Sequence, residues 1–356
     1  MTTRTQEYLI ERLGLADVIA VARKKTVPLH KHSFWYYWGG ISLFCFLVQL
    51  VTGILLLLYY RPGPEAFESV RQITFETHFG WLIRSVHNWS ANLFLLSVFI
   101  HMFSVFFMKA YRAPREFGWF TGLGLLGLGL VFGFSGYLLP MDELSYFATK
   151  VGLDMPSNIP IIGPPLANLI RGGLEVSEFT VQRFFTLHAV ILPLLFLPLL
   201  GIHLWLVQKH GNASPPEEES KPIVERKSIP FFPNFLAKDL AMWLITLNVI
   251  ALLAAMFPWQ LGEPADPLSA APVGIHPEWY FMSQFQTLKV MGRLFPGFAG
   301  EAIGMGLFTV GMVLWLLVPF YDIRALAAKR AKTATYFGIA VVGGLIIMTI
   351  WGYLAV

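Results

Sequence analysis

Apolar residues in this chain gather into long unbroken stretches parted by short polar segments, rather than alternating or recurring on one helical face. Seven stretches, roughly 34–60, 80–108, 118–139, 184–207, 238–257, 303–321 and 335–355, reach the length of about 20 helical residues that a hydrocarbon core of about 30 Å requires. They are labelled A to G and predict an all-α, polytopic membrane protein with seven transmembrane helices. The first 33 residues are polar or amphipathic and lack a cleavable signal pattern, so helix A is expected to remain in the mature chain. Within this leader, Tyr8, Leu9, Leu13, Leu15, Val18 and Ile19 recur at helical spacing between basic ends, which predicts a helix lying on the membrane surface.

Composition agrees: only 13% of residues are charged, against about 25% in soluble domains, which excludes an ordinary soluble enzyme. With an interior N-terminus, the leader and the B–C, D–E and F–G connections share one side and hold 18 of the 26 lysines and arginines, including those of 324–332. This bias predicts a cytoplasmic N-terminus. The formal net charge of +4 is too small and scattered to be a nucleic-acid footprint. Cys45 is the single cysteine, so there is no disulfide framework, no CxxCH haem attachment and no all-cysteine iron–sulfur site. The proline-rich, charged segment 211–235 divides the chain. It separates a four-helix bundle (34–210) from a three-helix block (236–356), with the leader occupying 1–33.

Four of the nine histidines fall inside helices B and D: His87 and His101 on one, His188 and His203 on the other. Ionisable groups inside membrane spans are expected to be functional. Fourteen helical residues rise about 21 Å and fall about 40° short of four turns, so His87 and His101 share a face at opposite depths. The spacing on helix D is fifteen, and a kink at Pro193 or Pro198 would absorb the extra residue. Both helices run from outside to inside, so His87 pairs in depth with His188 near the outer surface, and His101 with His203 near the inner one. Two haem irons, each ligated by two imidazoles, fit this pattern; four histidines gluing helices together is the plainer alternative. Arg84 and Arg183 sit near the outer pair and Arg115 near the inner one, placed to neutralise haem propionates or to snorkel to the interface. Gly39 and Gly53 in helix A, and Gly122 and Gly136 in helix C, repeat the spacing of fourteen. A flat macrocycle packs against a helix only where side chains are absent.

The segments RSVHNWSANLFLLSVFIHM (84–102), RFFTLHAVILPLLFLPLLGIHLW (183–205) and PEWY (277–280) together resemble cytochrome b of the quinol-oxidising bc1 and b6f complexes. Residues 30–215, with GGISLFCFLVQLVTG (39–53), resemble the b6 subunit, and residues 230–355, with LGEPADP (261–267), resemble subunit IV, here fused in one chain. The resemblance implies two non-covalent b haems, an outer one at His87/His188 and an inner one at His101/His203, with quinone sites on both faces. In the outer site Glu278 would accept a proton from quinol, with Tyr280 and Tyr137 beside it. Asp239 and His210 are the candidates for the inner quinone site, and His30, Lys31 and His32 for proton delivery. Implied partners are a Rieske-type iron–sulfur protein, a c-type cytochrome or equivalent, membrane lipid and a second copy of the chain. The implied location is an energy-transducing membrane, in a bacterium the inner one.

The chain departs from that pattern in places. Tyr37 stands where the b6 family carries the cysteine of a covalent third haem, so that group is not expected; Cys45 lies deeper in the helix and is read as packing. Gln208 replaces an arginine after helix D, Met141 replaces a tryptophan after Pro140, and His276 precedes PEWY. That histidine is either an extra proton carrier or a packing or docking residue. Two other readings predict different behaviour. A proton-coupled transporter with a histidine relay would bind no haem, and a di-haem anchor without bifurcation would leave PEWY and helices E–G without a role.

Overall fold

The computed structural model describes residues 3–157, 163–272, 274–322 and 332–355. All seven predicted spans are long, apolar helices: Ser33–Leu57, Gly80–Phe107, Glu116–Tyr137, Glu178–His210, Phe231–Met256, Ala299–Leu316 and Thr333–Leu354. In chain order the helices are α1 (Thr3–Arg12), α2 (Leu15–Lys24), α3 (Tyr37–Leu57), α4 (Ala66–Phe75), α5 (Gly80–Phe107), α6 (Glu116–Tyr137), α7 (Glu143–Ser157) and α8 (Gly163–Arg171). They continue as α9 (Glu178–Thr186), α10 (Leu192–His210), the one-turn α11 (Pro216–Glu219), α12 (Leu236–Met256), α13 (Trp279–Leu294), α14 (Phe298–Leu316), α15 (Val318–Tyr321) and α16 (Thr333–Leu354). The basic residues Arg324, Lys329 and Arg330 of the F–G connection lie outside the described residues.

The extra residue on the fourth span is absorbed just before Pro193 rather than at a proline kink. Leu187–Ile191 forms a π turn, in which Leu192 N–H donates to the Leu187 carbonyl, five residues back. Pro193 explains the slip: it has no N–H to offer the Ala189 carbonyl, which opens the α ladder at this turn. The span also starts earlier than expected, at Glu178, behind Ser177, whose N–H donates to Thr180 Oγ1 at 2.9 Å.

After α1 and α2, β1 (Thr26–Leu29) pairs antiparallel with β2 (Lys227–Pro230) from the proline-rich segment. The β-branched pair Thr26-Val27 and the following Pro28 favour extended backbone over another helical turn. The strand ties the N-terminal segment to residues 211–235, so that segment is docked on the leader at this point.

Three buried clusters hold the helices. In the middle of the four-helix bundle, Phe46 lies against Phe196 with ring centres 4.3 Å apart, and Phe94 lies 6.0 Å from Phe46 and 6.1 Å from Phe196. Phe46 is seven residues from both Gly39 and Gly53, and Phe94 seven from both His87 and His101. Gly129, equally central on α6, makes room: a Cβ there would sit 3.1 Å from the Phe94 ring. Toward the loops after Tyr137, a second cluster includes Leu138, Tyr146, Leu153 and Phe184. At the opposite end a third, with Phe106, Tyr111, Trp119 and Trp315, joins the bundle to α14.

Beside that third cluster Asp322 is almost fully buried, and it accepts from Arg112 Nη2 at 2.9 Å and from the Tyr111 hydroxyl. Lys109 Nζ lies 3.5 Å from the same carboxylate. Burial of Lys109 pulls its pKa down, against the opposing pull of Asp322. One acidic side chain at the C-cap of α15 thus clasps the loop between the second and third spans.

Candidate functional site

The four bundle histidines meet in the pairs that their depths predict. His87 and His188 face each other with ring centres 6.5 Å apart and planes at 65°. Two imidazoles on one metal, with bonds of about 2.0–2.1 Å and about 1.1 Å more from each nitrogen to its ring centre, need about 6.3 Å. The observed separation therefore fits a single metal ion between them. His101 and His203 are in electrostatic contact at the other end of the bundle.

All four glycines spaced by fourteen lie against these imidazoles, one to each. A Cβ on Gly136 would stand 2.7 Å from His188 Cε1, on Gly39 3.0 Å from His101 Cε1, on Gly122 3.3 Å from His203 Cε1, and on Gly53 3.4 Å from His87 Cε1. Each level of the bundle thus carries two rings and two bare helix surfaces, a cradle that any side chain would narrow. The donor set and the cradle fit a haem that the two histidines of each level would hold.

Sequence reasoning missed the hydroxyls that aim the rings. Thr52 Oγ1 lies 2.8 Å from His87 Nδ1, Thr121 Oγ1 3.0 Å from His203 Nδ1, and Ser135 Oγ 3.1 Å from His188 Nδ1, which also meets the Phe132 carbonyl at 3.1 Å. With Nδ1 engaged, Nε2 is left as the ligating nitrogen, a hydrogen-bonded arrangement that fixes ring orientation. Each hydroxyl residue immediately precedes one of the cradle glycines, so Ser/Thr-Gly at the repeated spacing was a readable signal. At the fourth position the residue before Gly39 is Trp38, and His101 Nδ1 is buried without a hydrogen-bond partner among the described residues.

Glu278, Tyr280 and Tyr137 assemble at the His87/His188 end. Glu278 is the N-cap of α13, and burial raises its carboxyl pKa while His276 opposes the shift. Trp279 Nε1 donates to Asn92 Oδ1 at 2.8 Å, which anchors this turn on α5. The Tyr280 hydroxyl packs on α6, where a Cβ at Gly133 would lie 2.7 Å from it. Burial pushes the Tyr280 pKa up, so it stays a neutral hydroxyl. Tyr137 and Glu278 are in electrostatic contact. The loop 261–267 closes on Met141 and Asp142: Glu143 N–H donates to the Glu263 carbonyl at 2.9 Å, and Asp142 Oδ2 accepts from Gly262 N–H at 3.3 Å. Met141 adopts a left-handed φ of 53°.

Asp239 lies at the His101/His203 end. It packs so closely on Gly40 that no side chain would fit there, and its Oδ1 is buried without a hydrogen-bond partner among the described residues. Tyr37 stacks on Phe235 with ring centres 4.9 Å apart. His210 offers its backbone carbonyl to Arg115 Nη2 at 3.4 Å, and Gly211 offers its own to Arg115 Nε at 3.3 Å. His30 Nε2 meets the Tyr36 hydroxyl at 2.6 Å, Lys31 pairs with Glu217 at 3.1 Å, and Lys25 Nζ donates to Gln208 Oε1 at 2.5 Å.

The other expected cofactor-binding arginines are also engaged by backbone. Buried Arg84 donates to the carbonyls of Trp259 and Gln260 at 2.8 and 3.1 Å. Arg183 donates to the Leu169 carbonyl. Arg84 thus tethers the loop after α12 to α5, and Arg183 ties α8 to α9.

Comparison with known proteins agrees with this geometry. Residues 23–211, more than half of the chain, match the family model for cytochrome b/b6/petB, and residues 264–356 match that for cytochrome b(C-terminal)/b6/petD. A cytochrome bc complex cytochrome b subunit from Chlorobaculum thiosulfatiphilum is 49% identical over 336 residues, covering 94% of this chain and 77% of that protein. A solved hyperthermophilic respiratory Complex III superposes with a TM-score of 0.84 at 30% identity, covering 97% of this chain and 90% of that one. The chain belongs to the cytochrome b family, a membership that implies haem b binding.

Proposed function

We propose that this chain is the haem-bearing membrane subunit of a bc-type complex that oxidises quinol on one membrane face and reduces quinone on the other. The observation that carries this reading is the one-to-one match of four glycines with four histidines, at two levels of one bundle. Haem b bound at each level would carry single electrons between the two faces. His87 and His188 would hold the outer group, and His101 and His203 the inner one.

The residues at the two ends divide the proton chemistry. At the outer end, Glu278 would take the quinol hydroxyl proton, in a partly dry site that suits a carboxylate base. Tyr280 and Tyr137 would position the quinol ring or the carboxylate. At the inner end Asp239, whose Oδ1 is buried without a hydrogen-bond partner among the described residues, would in its protonated form donate a hydrogen bond to a quinone or pass it a proton, and His210, at the end of α10, is the second candidate there. The chain holds no iron–sulfur or covalent haem motif. A Rieske-type protein and a c-type cytochrome or equivalent would supply the high-potential branch, with a second copy completing a homodimer. The N-terminus would face the cytoplasm, in a bacterial inner membrane.

The test is oxidant-induced reduction of haem b in the complete complex with the inner site blocked. Bifurcation at the outer site predicts that adding a high-potential oxidant drives haem b reduced rather than oxidised. Simple oxidation of haem b under those conditions would overturn the reading in favour of an unbifurcated anchor.

A further inference from the structure

Quinol oxidation at a buried carboxylate leaves a proton that must reach water, and the loop before Glu278 carries a histidine without a task so far. His276 Nδ1 lies 3.0 Å from the Pro277 carbonyl, so Nδ1 carries the hydrogen and Nε2 is left as an acceptor. The ring meets Tyr353 edge-on, with ring centres 5.1 Å apart and planes at 77°. Tyr353 lies in the last turn of α16 and is 45% exposed, while His276 is half-buried.

Both residues are in electrostatic contact with Glu278. The other groups facing this carboxyl are the hydroxyls of Tyr137 on α6 and Tyr280 on α13, with Asp142 beyond Tyr137. His276 is therefore the one basic side chain in the set among the described residues. It combines electrostatic contact with the Glu278 carboxyl and ring contact with a tyrosine that opens to the surface. Imidazole is the side chain whose charge changes near neutral pH, which suits it to accept and release a proton in each turnover.

We propose that His276 relays the quinol proton from Glu278 to the outer aqueous phase, with Tyr353 holding the ring in place. This rests on the reading of Glu278 as the acceptor of that proton. The quinol hydroxyl proton passes to the Glu278 carboxylate and then from the carboxyl to His276 Nε2. The imidazolium releases its Nε2 proton to water, and both groups return to their starting forms. No electron follows this path.

The experiment is stopped-flow reduction of haem b by a short-chain quinol in the complete complex, across pH 5.5 to 8.5, for wild type, His276→Gln, His276→Ala, Tyr353→Ala and Glu278→Gln. With haem content unchanged, His276→Gln should slow reduction about 5- to 20-fold and flatten the pH profile, within the range of a general acid–base contribution. Added imidazole should restore His276→Ala at least partly, which a packing role would not allow. Tyr353→Ala should displace the pH profile in the same direction; this variant carries the test if the histidine variants fail to assemble. A wild-type profile in His276→Gln, or in Tyr353→Ala where only that variant assembles, would overturn the relay. Loss of reduction in Glu278→Gln alone would leave the carboxylate reading standing without the relay, whereas a wild-type rate in Glu278→Gln would remove the reading itself.

Discussion

The imidazoles of His87 and His188 face each other 6.5 Å apart from centre to centre, close to the separation set by two bonds to one metal ion. Their helices are also held in place by contacts away from the site, including the central phenylalanine cluster. Replacing His188 with leucine should therefore remove one haem per chain and leave the inner one bound. Pyridine haemochrome quantification of the purified variant should fall by about half relative to wild type, with the remaining b-type absorption still reducible.

The cradle distances rank the glycines. Alanine at Gly136 would place its Cβ 2.7 Å from the His188 ring, whereas at Gly53 the corresponding gap to His87 is 3.4 Å. Gly136→Ala should perturb haem binding most, followed by Gly39, Gly122 and Gly53 in that order. Haem occupancy and the midpoint potentials of the four variants, measured side by side, check the ranking.

Glu278 supplies a pH dependence with a definite sign. Its folded-state pKa is raised by burial, so the folded protein binds this proton more tightly than the unfolded chain does. The stabilising contribution is full below the unfolded value and is lost as pH rises through the folded one. Glu278→Gln should thus raise the thermal stability of the complex at pH 8 relative to wild type and leave it nearly unchanged at pH 4. Outer-site activity should follow the opposite limb in wild type, falling on the acid side with an apparent pKa above the usual carboxylate range.

Asp322 is the anion that Lys109 and Arg112 share in a buried setting. Removing it strands two cations, and breaking a buried pair in this way costs about 3–5 kcal/mol. Asp322→Ala should lower the thermal stability of the solubilised protein markedly, while Lys31→Ala, at an exposed ion pair, should cost less than about 1 kcal/mol.

Much of this fold was legible because membrane spans are set by length and hydropathy alone. The histidine pairing was legible too, because fourteen residues return nearly to the same helix face. Other elements depend on partners distant in sequence. Thr26–Leu29 becomes a strand only because Lys227–Pro230 lies beside it, and no local pattern announces a two-strand pairing across about 200 residues. The π turn at Leu187–Ile191 follows from Pro193, yet the proline itself reads as a kink. Sequence position sets Arg84, Arg115 and Arg183 near the two histidine levels, but the backbone carbonyls that hold them belong to other elements that their own sequence does not announce.

A dithionite-reduced minus oxidised optical spectrum with haem quantification on the purified, folded protein counts the b haems that each chain holds. The account predicts two non-covalent b-type haems per chain, with loss of one when His87 or His188 is substituted and of the other when His101 or His203 is. A folded sample that holds no haem, or a single haem that is lost on substitution at either pair, would contradict it.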